Sequence, residues 1–308
     1  MITILKNNTG LVISDKWDPK SWVNVEEPTL EDKNYLLKTL QIPEAYYNDI
    51  EDFDERPRFE IDEGWYLALM RIPIKNKDYK LPFSTIPLGI IFKEDIFVSV
   101  CFFKNEMITD FINYTKRKSI KIQNNFDITL RLLLSSSIWY LKYLKQINQK
   151  IKLAEDKLEK SIRNEDLQTL LQIEKCLVFF TTSLKGNDVL VNRIKNFKEY
   201  KDSYDSELIE DVEIELKQAL DTTNIHSEIL SGMMDAYASV ISNNISVIMK
   251  RLTSISIILM IPTLIASLYG MNVPNVFENN ALGFWIILAI SFSIATMTVI
   301  VFIKRKWF

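Results

Sequence analysis

Residues 252–272 read LTSISIILMIPTLIASLYGMN, and the fold turns on how they are read. Between Leu252 and Tyr269 no side chain is charged. That is close to the roughly 20 residues a helix needs to cross the hydrocarbon core of a bilayer. A second uncharged run extends from Asn279 to Ile303. Two buried helices of a soluble core are the competing reading, but core helices of this length normally carry charge on a solvent face. The two runs therefore predict membrane spans at 252–269 and 281–303, joined by a short loop at 270–280.

Flanking charge sets the orientation. Lys250 and Arg251 precede the first span, Lys304, Arg305 and Lys306 follow the second, and the loop carries only Glu278. Basic residues stay on the cytoplasmic side. Both termini are therefore expected in the cytoplasm, with the loop on the extracellular or periplasmic face of the cell (inner) membrane. Met1–Gly10 is too short and polar for a signal peptide, so the first span is expected to direct its own insertion. Cys101 and Cys176 suit the reducing compartment as unpaired core thiols. A net charge of −3 argues against a nucleic-acid partner. Over 308 residues, 25% are charged and 47% apolar. Mean hydropathy is nevertheless +0.01, because the apolar residues are concentrated in the two runs.

Upstream of the spans, proline and glycine divide the chain. Seven of the nine prolines fall between Pro19 and Pro87, and the only glycines between Gly89 and Gly270 are Gly186 and Gly232. Both residues punctuate mixed structure, so residues 1–125 read as an α/β domain and 126–250 as long helices. Strands are expected at Met1–Lys6, Leu11–Ser14, Trp22–Asn24, Arg58–Ile61, Trp65–Ile74, Ser84–Phe92 and Ile96–Phe103, rich in β-branched and aromatic residues. Glu94-Asp95 has the length of a tight hairpin turn. Helices are expected at Pro28–Leu40, Glu106–Arg117, Asp127–Arg163, Glu165–Leu184 and Asp188–Tyr200, with Asn164 and Gly186 at the joins. From Asp205 to Tyr269 nothing stops a helix before Pro262. At 1.5 Å per residue such a rod is on the order of 100 Å long, and self-association is the simplest way to cover its apolar side.

One stripe on that rod stands apart. Back from Gly270 in alternating threes and fours lie Ser267, Thr263, Met260, Ser256, Thr253, Met249, Ser246, Ser242, Ser239 and Asp235, all small, polar or methionine. An average spacing of about 3.5 residues keeps such a stripe facing the axis of a left-handed bundle. Small residues can simply let membrane helices pack closely. The other reading is a water-filled pore lined by copies of this helix, and the unbroken run from membrane into stalk favours it. The stripe holds hydroxyls and thioethers but no carboxylate inside the membrane, which suits an ion that keeps part of its water. Met249, Leu252 and Met260 would be apolar constrictions able to gate by dewetting.

The first span ends in Tyr269-Gly270-Met271-Asn272, followed by Val273-Pro274. Glycine accepts positive φ and often ends helices, and Asn272 offers a side-chain carbonyl at the outer mouth. In this position, with the basic, aromatic tail Lys304-Arg305-Lys306-Trp307-Phe308, the motif resembles the CorA family of divalent-cation channels. Met260, Pro262 and Thr263 are similar to that family's first span, and Asp54-Glu55-Arg56-Pro57-Arg58-Phe59-Glu60 to a segment of its cytoplasmic domain.

The resemblance implies a funnel-shaped homopentamer with an N-terminal α/β cytoplasmic domain. A helical stalk would continue into the first transmembrane helix, with the second at the C-terminus. It implies passive entry of hydrated Mg²⁺, with Co²⁺ or Ni²⁺ as further substrates, past an outer filter of Gly270, Met271 and Asn272. The Asn272 carbonyls would contact the ion through its water. It also implies closure when cytoplasmic Mg²⁺ fills acidic sites between subunits, for which Asp235 is the local candidate. The loop is poorer in acidic residues than in many members, and Ser246 and Ser267 stand where others have asparagine or glycine. Both departures bear on ion preference.

A zinc transporter of the ZntB type is the nearest alternative, although that branch usually has isoleucine where Met271 stands. A non-conducting membrane scaffold or sensor would explain the rod but not the stripe. With His226 as its only histidine and no Gly-rich phosphate loop, the chain offers little for an enzyme or an organic cofactor. The acidic cluster Asp49, Glu51, Asp52, Asp54 and Glu55 has the chemistry to bind a cation but reads better as a solvated loop.

Overall fold

The computed structural model describes residues 1–8, 10–76, 81–160, 163–197, 205–272, 282–305 and 307. They form two compact units, Met1–Gly232 and Met233–Phe308.

The first unit is built on a seven-stranded sheet. Its strands are β1 (Ile2–Asn8), β2 (Gly10–Ser14), β3 (Trp22–Glu26), β4 (Arg58–Asp62), β5 (Trp65–Lys75), β6 (Phe83–Lys93) and β7 (Ile96–Cys101). They lie in the order β2-β1-β3-β7-β6-β5-β4. Only β3 and β7 pair in parallel; the other neighbours are antiparallel. All seven expected strands form. The Glu94-Asp95 turn closes the β6–β7 hairpin, with Lys93 opposite Ile96 and Glu94 at φ 48°.

The chain next forms α1 (Leu30–Asn34), which buries no side chain, a π-helical turn at Tyr35–Thr39 that buries Leu36, and α2 (Glu44–Glu51), which packs against the sheet. The expected Pro28–Leu40 helix thus forms as two pieces. It starts at a capping box, in which Thr29 and Asp32 each accept from the other's backbone amide. The α2 helix escapes the sequence pattern because it is short. Tyr46, Tyr47 and Ile50 anchor it in a core with Leu67, Leu69 and Val98. Asp49 and Glu51 therefore sit on a helix rather than in a loop. The guanidinium of Arg58 gathers Asp49 (2.7 Å), Glu60 (2.8 Å) and Glu55. Burial pushes the Asp49 carboxyl above its ordinary range, and Arg58 pulls it back.

Three further helices complete this unit before the stalk: α3 (Glu106–Lys118), α4 (Asn125–Lys160) and α5 (Asn164–Lys195). The last corrects the expected break at Gly186, since one helix runs through the positions assigned to two; residues 198–200 lie outside the described residues. Gly186 serves proximity, not termination. A Cβ there would stand 2.6 Å from Cγ of Pro57. Asn187, one position on, repairs the sheet. Arg71 of β5 lies past the end of β4, whose pairing stops at Leu69, so its backbone amide and carbonyl face no strand on that edge. The Asn187 side chain accepts from the Arg71 amide (2.9 Å) and donates to the Arg71 carbonyl (2.8 Å) in place of a strand.

Cys101 and Cys176 are free and buried, as expected of core thiols. Burial pushes the Cys101 thiol up to about 12 and raises that of Cys176. Neither should be labelled by a water-soluble maleimide at pH 7.5 in the folded protein, and both should be labelled in denaturant. Stoichiometric labelling of the native chain would contradict their placement.

The stalk and first span form α6, continuous from Ser206 to Tyr269 with Pro262 inside it, and α7 covers Gly283–Lys304. Both are long and apolar enough to cross a membrane. At 1.5 Å per residue, the 22 residues of α7 reach about 33 Å.

Candidate ion pathway on α6

Within the second unit, α6 and α7 form a hairpin whose open end is fastened by Lys250, its ammonium 5.5 Å from the Trp307 ring. The buried residues of α7 are Gly283, Ser291 and Ala295, small enough to let two backbones approach. On α6 the covered positions are Ser254, fully buried, with Ile257, Ile258, Ile261, Pro262, Ile265 and Tyr269 partly so. These repeat every three or four residues and define the face turned to α7.

The stripe lies elsewhere on α6. Asp235, Ser246, Met249, Leu252, Thr253, Ser256, Met260, Thr263 and Ser267 are all exposed. At about 100° per residue, they centre roughly 140° around the helix from the face covered by α7. Met260 is 68% exposed, a large thioether on a face that the described residues leave open.

Four hydroxyls on this face share one hydrogen-bond pattern. Ser239, Ser246, Ser256 and Thr263 each donate to the carbonyl four residues earlier, at 3.0, 3.0, 3.0 and 2.9 Å. With its proton committed to the backbone, such an oxygen offers only lone pairs outward. A row of acceptors matches the outward-pointing protons of water held by a cation and offers nothing to an anion.

At the outer end the helix stops without a left-handed residue, contrary to the expectation for Gly270. Gly270 keeps an ordinary φ and donates to the Ala266 carbonyl at 2.9 Å. Met271 and Asn272 follow, both exposed. Val273, Pro274 and Glu278 of the loop, and Lys306 and Phe308 of the tail, lie outside the described residues. Asp235 lies at the other end of the stripe, where its carbonyl accepts from Ser239. Among the described residues, no three Asp, Glu, His or Cys side chains come together to hold a metal ion. The Lys250–Trp307 contact was missed in the sequence, where the pair is 57 positions apart and only the hairpin brings it together.

Fold and site define a membrane protein with two C-terminal spans, a polar stripe along the first and a Gly-Met-Asn tripeptide at its end. The family pattern described as CorA-like Mg²⁺ transporter protein matches residues 19–305, and the chain belongs to that family. The cobalt/magnesium transport protein CorA of Methanocaldococcus jannaschii is 28% identical over 320 aligned positions, covering 100% of each chain. The complete structure of the CorA magnesium transporter from that organism superposes with a TM-score of 0.86 at 24% identity, over 100% of this chain and 99% of that one. The ZntB cytoplasmic domain from Vibrio parahaemolyticus shares the fold more distantly, with a TM-score of 0.60 at 11% identity over 80% of this chain and 98% of that one. The chain is thus a membrane transporter of divalent cations and not an enzyme.

Proposed function

We propose that the protein carries hydrated Mg²⁺ passively into the cytoplasm, with Co²⁺ and Ni²⁺ as further substrates, through a pore lined by the α6 stripe. The observation that carries this reading is the exposure of the stripe. In the two-helix unit α7 covers one face of α6 and leaves the acceptor-bearing face open, as a wall needs if other copies complete the pore. The assembly is a homo-oligomer, a pentamer by the family resemblance, with residues 1–125 and 126–250 in the cytoplasm and 251–308 in the bilayer. Both termini face the cytoplasm.

In this pore Gly270, Met271 and Asn272 form the outer filter. Mg²⁺ sheds its waters reluctantly, so the Asn272 carbonyls meet it through its hydration shell. Ser267, Thr263, Ser256, Thr253 and Ser246 continue the contact by accepting from that shell. Met260, Leu252 and Met249 form the apolar narrowings, where the hydrated ion has fewest acceptors and a gate is easiest to close. Asp235, at the cytoplasmic end, is the proposed regulatory carboxylate.

The test is ion entry into liposomes holding the purified full-length chain. Mg²⁺ entry should follow an imposed inside-negative potential, and Zn²⁺ should enter more slowly. Faster Zn²⁺ entry would favour a ZntB-like zinc transporter, and no entry of either ion would leave a non-conducting anchor. Asp235→Asn should raise the internal Mg²⁺ needed to halve entry; an unshifted value removes Asp235 from regulation.

A further inference from the structure

A second feature, in the first unit, has no part in the pathway. Arg71 is buried at 8% exposure, and no carboxylate pairs with it among the described residues. Burial draws its guanidinium below the ordinary pKa, while Asp54 and Asp52 push the other way. Its donors are spent on uncharged oxygens. One terminal nitrogen donates to the carbonyls of Phe53 (2.8 Å) and Glu55 (2.9 Å). The other donates to the Thr85 carbonyl (2.8 Å), and Nε donates to Thr85 Oγ1 (3.2 Å). A buried arginine held by backbone is costly to expose and specific in what it grips.

The gripped segment, Asp52–Pro57, also meets α5, where the Pro57 ring fills the notch left by Gly186. The next residue of α5, Asn187, holds both backbone groups of Arg71, and Tyr140 of α4 also donates to the Arg71 carbonyl at 3.0 Å. Gly186 and Asn187 thus meet the segment and its clamp on the same turn of one helix. A shift of α5 along its axis would break both contacts together.

We propose that Asp52–Pro57 is a strap latched by Arg71 and set by the axial position of α5 through Gly186 and Asn187. Displacement of α5 then releases the strap and the carboxylates it carries. Asn187 bonds to Arg71 and not to the strap, and acts as a positioning residue. Packed interfaces with discrete partners switch rather than deform smoothly, which makes the strap a two-position element.

The experiment is native-state proteolysis of the purified full-length protein by endoproteinase Glu-C, reading cleavage after Glu55. Asn187→Ala should raise that rate at least tenfold without accelerating cleavage at other sites. Asn192→Ala, an exposed asparagine on the same helix that bonds only within it, should stay at the wild-type rate. A wild-type rate in Asn187→Ala, or acceleration at all sites alike, overturns the latch. If Asn187→Ala does not fold, Tyr140→Phe decides the matter. A selective rise after Glu55 supports the proposal, and an unchanged rate overturns it.

Discussion

Asn272→Ala should cut Mg²⁺ entry into liposomes at least tenfold while the protein still folds and assembles. The residue is exposed just beyond the end of α6. In the proposed pore each copy contributes one such carbonyl to the ring that first meets the ion. A hydrogen bond to a charged partner is worth about 1.5–3 kcal/mol, and a hydrated cation makes its shell waters strong donors. Several copies lose that contact at once, so even a fraction of one bond per copy gives a tenfold or greater loss. Asn272→Asp keeps an acceptor and adds charge, so it should retain entry and change the preference among Mg²⁺, Co²⁺ and Ni²⁺. Full Mg²⁺ flux through Asn272→Ala would falsify the filter assignment and leave the pore wall to be tested through Thr263 and Ser256.

The second large effect is one of stability. Gly89 on β6 lies directly over Ile50 of α2: an added Cβ would stand 2.0 Å from Cδ1 and 2.3 Å from Cγ1 of that side chain. Ile50 is fully buried in a close-packed core, so moving its side chain disturbs further neighbours. Gly89→Ala should therefore destabilise the first unit by about 1–3 kcal/mol through overpacking, seen as a lower denaturation midpoint in urea. Ile50→Ala removes the colliding atoms and leaves a cavity, itself costing about 2–5 kcal/mol. In that background Gly89→Ala should cost almost nothing. A double-mutant cycle measures the difference. Additive costs would show that α2 does not sit on Gly89.

Much of this architecture is legible in residue patterns. The strands stand out because β-branched and aromatic runs are bounded by turn residues, and the Glu94-Asp95 hairpin because a two-residue gap permits little else. The spans are legible because hydrocarbon tolerates no charge. Other features depend on contacts between distant residues. Gly186 looks like a helix end, and nothing local reveals that Pro57, 129 positions earlier, needs the space. The acidic cluster looks solvated because its organiser, Arg58, lies on a strand beyond it. Gly270 looks like a left-handed terminator, yet the structure ends α6 there without one.

The candidate pathway divides in the same way. Sequence alone determined which residues share the polar face of α6, because helical periodicity is a property of one chain. It also determined that the motif closes the first span. Only the tertiary structure decided which face α7 covers. Burial of Ser254, Ser291, Ala295 and Gly283 is a two-body property, and it leaves the serine, threonine and methionine face open. The same holds for Arg71, whose charge any composition count records. That it is clamped by backbone carbonyls, with Asn187 completing the sheet beneath it, follows from a neighbouring strand that stops short. Periodicity is local and is written along the chain; which surfaces meet depends on the free energy of packing the whole.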